Sequence, residues 1–285
     1  GGPEGLKNNR ARGFIQCCDL TDFGTDKEDY RWRFNKKNAR EQDDFQRIIE
    51  ANQAFSLSGN ELQAAVNEIL DIDQWMRQFA MMSLLGVLDV YSVVSYQNVM
   101  MYVRPEDNKV LIFPWDWDQA WAIPTNDPLH RTVHPHITKV LDLPLNERLH
   151  LGHMHDIINT TFNRTYATDW AQHLGGLIGQ NYGVHLGYIT DRSNSVLSQF
   201  PAQIPFGITT GETLNVGNAA TATIGGNGWV NVREIQLQNG TGPLDVSWSV
   251  GNGSNFADTW EVTVPVTGGT HTISLQAYDY QGALI

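Results

Sequence analysis

Apolar residues recur at three- and four-residue intervals as far as about residue 200, then alternate one-by-one after about residue 205. The first regime predicts helices, the second strands. Residues 44–54 read as a helix with Phe45, Ile48 and Ile49 inward, and residues 60–70 as another with Leu62, Ala65, Val66 and Ile69 on one face. Asp71 is placed to cap a third helix, with Gln74 able to reach back in a capping box. That helix, residues 75–88, is apolar nearly all round (Trp75, Met76, Phe79, Met82, Leu84, Leu85, Val87), so it belongs in an interior. Two short strands, 98–103 and 110–113, flank the turn Pro105-Glu-Asp-Asn108, and helical periodicity returns from 150 to 200. Farther on, Leu244-Val246-Trp248-Val250, Trp260-Val262-Val264-Val266 and Ile273-Leu275-Ala277 alternate, and the alternation changes phase between Val230 and Leu237, predicting a bulge or bend.

Composition sharpens this division. Half of the 26 glycines lie after residue 205, where Arg233 is the single basic residue. With the prolines at 201 and 205, this predicts two domains, 1–204 and 205–285, the second an immunoglobulin-like β-sandwich. The chain carries 19 Lys+Arg against 31 Asp+Glu, a net charge of −12, which argues against nucleic acid or an anionic membrane held by bulk electrostatics. No apolar run is long enough for a membrane span. The two cysteines, Cys17 and Cys18, are adjacent and give neither a disulfide framework nor a zinc spacing. The start at Gly1 and the stop after Tyr280-Gln-Gly-Ala-Leu-Ile285 read as the cut ends of a longer protein.

The chemistry concentrates between residues 71 and 121. An interior helix leads to Asp89, Asn98 opens a hairpin, and the second strand runs into Asp116 and Asp118. Protein-kinase catalytic lobes share this order: a catalytic-loop aspartate, an asparagine, then a metal-binding aspartate at the end of a hairpin. Phosphoryl transfer needs a carboxylate near the attacking hydroxyl and hard oxygen ligands for Mg²⁺, which takes only one or two protein carboxylates. The His-Arg-Asp and Asp-Phe-Gly signatures are absent, and Asp116 and Asp118 fit equally well as pins of a tight turn between tryptophans.

The particular words are more specific than the spacing. Leu70-Asp-Ile-Asp-Gln-Trp-Met-Arg-Gln-Phe-Ala80, Leu88-Asp-Val-Tyr91, Asn98 with Tyr102, and Ile112-Phe-Pro-Trp-Asp-Trp-Asp118 with Trp121 resemble the CotH kinase family of atypical kinases. Tyr188-Ile-Thr-Asp-Arg192 resembles that family's closing helix, so the likeness covers about residues 5–200. It implies an α+β fold: a mainly helical kinase-like catalytic lobe with a small β-hairpin, preceding the all-β sandwich. It further implies Asp89 as the catalytic aspartate, Asn98 and Asp116 as metal ligands with Asp118 as the alternative or additional one, Mg²⁺ or Mn²⁺ as cofactor, and ATP as co-substrate. The acceptor would be a protein or a cell-surface hydroxyl. Gln97 stands where the family often has His. The family's amino-terminal strands, which enclose ATP and supply a basic phosphate ligand, are expected mostly upstream of this chain, so the chain alone would lack much of the nucleotide clamp. Lys36, Lys37 and Arg40 read as a solvated face. The tail is similar to immunoglobulin-like modules of secreted bacterial proteins, implying an extracellular or cell-surface setting. The same family resemblance also implies a second reading, a coat or adhesion protein that keeps the scaffold without catalysis.

Weaker signals remain. His130, His134, His136, His150, His153 and His155 crowd one stretch; they read as solvated or capping residues rather than a metal site, with Gly152 interrupting their helix. Asn159, Asn163, Asn239 and Asn252 begin glycosylation sequons. Trp248 and Trp260 read as sandwich core, whereas Trp229, in a turn, is a candidate sugar-binding platform.

Overall fold

The structure, a computed structural model, describes residues 5–8, 20–31, 33–90, 98–130, 134–251 and 254–285. Expectations concerning Cys17, Cys18, Tyr91, Gln97 and the Asn252 sequon lie outside the described residues. In chain order the elements are β1 (Gly5–Asn8), α1 (Lys27–Arg31), β2 (Phe34–Lys36), α2 (Gln46–Ser56), α3 (Gly59–Ile69), α4 (Ile72–Leu85), β3 (Val99–Val103), β4 (Val110–Pro114), α5 (Pro135–Leu141), α6 (Pro144–Thr160), α7 (Arg164–Ile178) and α8 (Gly183–Ser198). The β-rich part follows: β5 (Gly207–Ile208), β6 (Thr221–Asn227), β7 (Glu234–Leu237), β8 (Val246–Val250), β9 (Ala257–Pro265) and β10 (Leu275–Tyr278). The fold is α+β with several small sheets.

Helix α4 is the axis of the helical part. Asp71 caps it as the sequence predicts, accepting the Gln74 N–H at 3.2 Å. Gln74 does not complete the capping box. Its side chain instead accepts the Ile112 N–H at 3.0 Å and donates to the Ile112 carbonyl, and Trp75 Nε1 donates to the Val110 carbonyl at 2.8 Å. The first turn of α4 is thereby clamped to β4. Trp75, Met76, Phe79 and Met82 are fully buried against Phe55, Leu62 and Val66 of α2 and α3.

The β3–β4 hairpin lies in a four-stranded antiparallel sheet of order β2-β1-β3-β4. The sequence predicts only the hairpin, because strands of three and four residues are too short to register as alternation. Burial of Lys36 corrects the solvated-face expectation for that residue. It lies on the inner side of β2 at 7% exposure, its Nζ donating to the Gln42 carbonyl at 2.6 Å and lying 5.0 Å from the Phe45 ring centroid. Lys37 and Arg40 are exposed.

Helix α6 runs through Gly152 without interruption, contrary to expectation. A Cβ there would lie 2.1 Å from the Tyr280 hydroxyl, so Gly152 is the seat on which the carboxy-terminal tyrosine packs. Among the neighbouring histidines a capping role holds for His134, whereas the solvated one is corrected. His134, His150 and His153 are 5% exposed or less: His134 caps α5, His153 bonds Asp73 at 2.9 Å, and the His150 ring packs 4.9 Å from that of His130. They belong to the interior rather than to solvent.

Strands β5-β6-β9-β8 form one antiparallel sheet and β10-β7 a second. Ile224, Ile235, Trp260, Val262, Val264 and Ala277, drawn from both, share one core. The phase change near Val230 is a turn, in which Val232 N–H bonds the Trp229 carbonyl before β7 starts. This part is fused to the helices by Arg148 of α6. Its guanidinium, 4% exposed, donates to the carbonyls of Gly228, Trp229, Val232 and Ala257 at 2.7–2.9 Å and lies over the Trp248 ring. Trp229 is no sugar platform: it is buried with Phe200 and His155 and donates to the Pro201 carbonyl at 3.1 Å.

Candidate functional site

Four residues singled out in the sequence meet at one end of the β3–β4 hairpin. Val99 pairs with Pro114, so Asn98 just before β3 and Asp116 just after β4 lie side by side where the two strands part. Both adopt left-handed backbone conformations, Asn98 at φ 61° and Asp116 at φ 57°. Asn and Asp enter that region more readily than other non-glycine residues, and at the sheet's end it turns the chain sharply out of the ladder.

Asp89 arrives from the other side. Helix α4 ends at Gly86, whose φ of 60° suits glycine and whose missing Cβ leaves room for the Tyr188 hydroxyl. The Gly86 carbonyl accepts from Ala122 and Ile123 N–H, the Leu85 carbonyl from Trp121, and Leu88 N–H donates to the Gln119 carbonyl. These bonds sew the segment before Asp89 to the segment after Asp118. The Asn98 amide nitrogen then donates both to the Asp89 backbone carbonyl and to its carboxylate Oδ2, each at 2.9 Å. Asn98 is 8% exposed, Asp89 half-buried, and Asp116 and Asp118 are open to solvent.

The electrostatics follow from this convergence. Burial raises the Asp89 carboxyl above the ordinary carboxylate range, and the negative charges of Asp118 and Asp116 push it the same way, against the pull of its own backbone N–H and of the Asn98 amide. Three carboxylates therefore share one locality. Among the described residues, however, no three His, Cys, Asp or Glu side chains are close enough to enclose a metal ion. The donor set fits a magnesium ion that keeps most of its ligands as phosphate and water, with one or two protein oxygens, and not an all-protein cage. The Asn98 amide nitrogen is committed to Asp89, which leaves the amide oxygen as its cation-binding atom.

Supporting residues carried little signal in the sequence. Arg192 of α8, 1% exposed, donates to the Asp127 carbonyl at 2.6 Å, the Thr125 carbonyl at 3.2 Å and the Ser83 hydroxyl at 3.1 Å, binding α8 to α4 and to the loop beyond Trp121. Trp121, at φ 68°, stacks on Phe162 and meets His185 and Tyr188 edge-on. Both residues stand in the segments quoted for the family likeness, but their work is to fix backbone that is distant in sequence, which no local pattern reveals.

Comparison with known proteins gives one family. Residues 8–191, well over half of the chain, match the model described as CotH kinase protein. No curated protein matches the chain.

Proposed function

The chain belongs to the CotH kinase family, and from that premise we propose that it transfers the γ-phosphoryl group of ATP to a hydroxyl of a protein or surface component. The observation that carries this reading is the double hydrogen bond from Asn98 to Asp89 beside Asp116 and Asp118. Asp89 is the residue that orients the acceptor hydroxyl and takes its proton as the new O–P bond forms and the bond to the ADP oxygen breaks. Its raised proton affinity suits that role. Asn98 holds the aspartate's backbone and carboxylate at once, fixing the loop on which the base sits. Asn98 and Asp116 would supply the protein oxygens for Mg²⁺, with Asp118 alongside, and the metal would supply charge neutralisation of the phosphates.

The strands from residue 205 onward are read as an immunoglobulin-like accessory module. Supporting this are two small antiparallel sheets closing on one core around Trp260. Such a module fits an extracellular or surface setting. No helix among the described residues is long and apolar enough to cross a membrane.

The test is transfer of label from γ-labelled ATP, with Mg²⁺, to the protein itself or to a generic acceptor. Wild type should transfer, while Asp89→Asn and Asp116→Asn should lose at least about 100-fold. Transfer that is absent from the full-length protein, or equal in all three folded proteins, would favour the scaffold reading.

A further inference from the structure

Helix α7 is a fifteen-residue helix with Gly175 as its one buried residue. Short helices are held by burial of an apolar face, and this face is largely uncovered. Tyr166, Trp170, Leu174, Leu177 and Ile178 repeat at helical spacing, and Val184 follows at the start of α8; all six are between 46% and 75% exposed. Between α7 and α8 opens an apolar cleft of about 440 Å³, lined by Tyr166, Trp170 and Leu174 of this same face together with Phe162, Ala171 and Ile189. A hole and an apolar knob, the latter formed by Leu177, Ile178 and Val184 at the α7–α8 turn, thus adjoin on one face.

We propose that this face pairs with a second copy of the same chain, the knob of each protomer entering the cleft of the other about a twofold axis. Three observations select that occupant. The knob and the hole are neighbours, so one isologous contact satisfies both copies and closes, without open-ended growth. The six exposed side chains present on the order of 700 Å², close to the roughly 800 Å² per partner of a stable interface. The face is also nearly neutral in a chain of net charge −12: along α7 one basic residue, Arg164, balances one acidic residue, Asp169. Two strongly acidic molecules can approach with least repulsion through such a surface.

The test is sedimentation velocity across a concentration series up to about 100 µM, a range that resolves dimers of ordinary stability. Wild type should sediment as a monomer–dimer mixture that shifts with concentration. Leu177→Lys with Ile178→Lys removes the knob, and Ala171→Trp fills the cleft. Each should weaken self-association by about 100-fold or more, with unchanged circular dichroism, since two aliphatic side chains leave each contact. Mixing the two variants restores one intact knob-in-cleft contact per heterodimer, so the mixture should associate more tightly than either alone. A wild type monomeric throughout overturns the proposal, as does a dimer that survives both variants or a mixture no tighter than its components. Wild-type monomer that co-sediments with phosphatidylcholine vesicles would assign the face to a lipid surface instead and overturn it equally.

Discussion

Asp89 holds the most informative position in the chain, because its proton affinity reports the charges around it. Burial, then Asp118 and Asp116, keep its carboxyl protonated above the ordinary range. Because its affinity for the proton is higher folded than unfolded, this group adds stability at low pH, and that contribution is lost as pH rises through its folded value. The Asp118→Asn variant removes the larger of the two like charges, so the Asp89 carboxyl should titrate at lower pH, measured by carboxyl-carbon NMR. The acid limb of any pH–activity profile should move down with it. An unmoved Asp89 titration would mean that Asp118 does not face it. Aspartate order and the Trp-Asp-x-Asp words made all four candidate residues legible in the sequence. What they could not show is the Asn98 clamp, which depends on two left-handed residues meeting where the strands part.

The elements show where periodicity suffices and where it does not. Interior helix α4 follows from a long apolar run, the Asp71 cap from its place before it, and the β3–β4 hairpin from two short apolar segments around the Pro105–Asn108 turn. Strands β1 and β2 are too short for a period to emerge, and β6 carries two glycines, Gly225 and Gly226, where its partner's Trp260 packs closely against the backbone. Gly152 and Arg148 escape a sequence reading for another reason: their partners, Tyr280 and the 228–257 carbonyls, lie about a hundred residues away. Burial holds the Arg148 guanidinium down at about 10, with Tyr280 and Asp258 opposing. Arg148→Met would leave four carbonyls without their charged donor, at a cost of about 3–5 kcal/mol. Calorimetry should show one melting transition in wild type, and in the variant a lower one that splits as β5–β10 part from the helices. A single transition within about 1 kcal/mol of wild type would contradict the clamp.

At the scale of the whole molecule, the helical and β-rich parts share one apolar interior, in which Leu151, Met154 and Ile157 pack with Trp229, Val230 and Phe256, while buried histidines sit within the helical part. Burial, reinforced by the charges of His130 and His153, holds His150 well below its ordinary value; burial, then His136, holds His134 at about 3. Both are neutral when folded and bind protons more readily when unfolded, so the stability they preserve is complete above the unfolded value of about 6.5 and drains as pH falls below it. The urea midpoint should fall steadily from pH 7 towards pH 4, and His150→Met should flatten that fall. A midpoint independent of pH in this window would show that these rings are not buried neutral. The acidic composition gains a local meaning here too: of a net charge of −12, three aspartates form the cluster read as a site for phosphate-bound Mg²⁺. That reading is tested most directly by calorimetric titration of Mg·ATP into wild type, Asp116→Asn and Asp89→Asn. Wild type should bind only when Mg²⁺ is present, Asp116→Asn should lose the metal-dependent binding, and Asp89→Asn should retain binding while losing transfer. Metal-independent binding, or equal binding by wild type and Asp116→Asn, would contradict it.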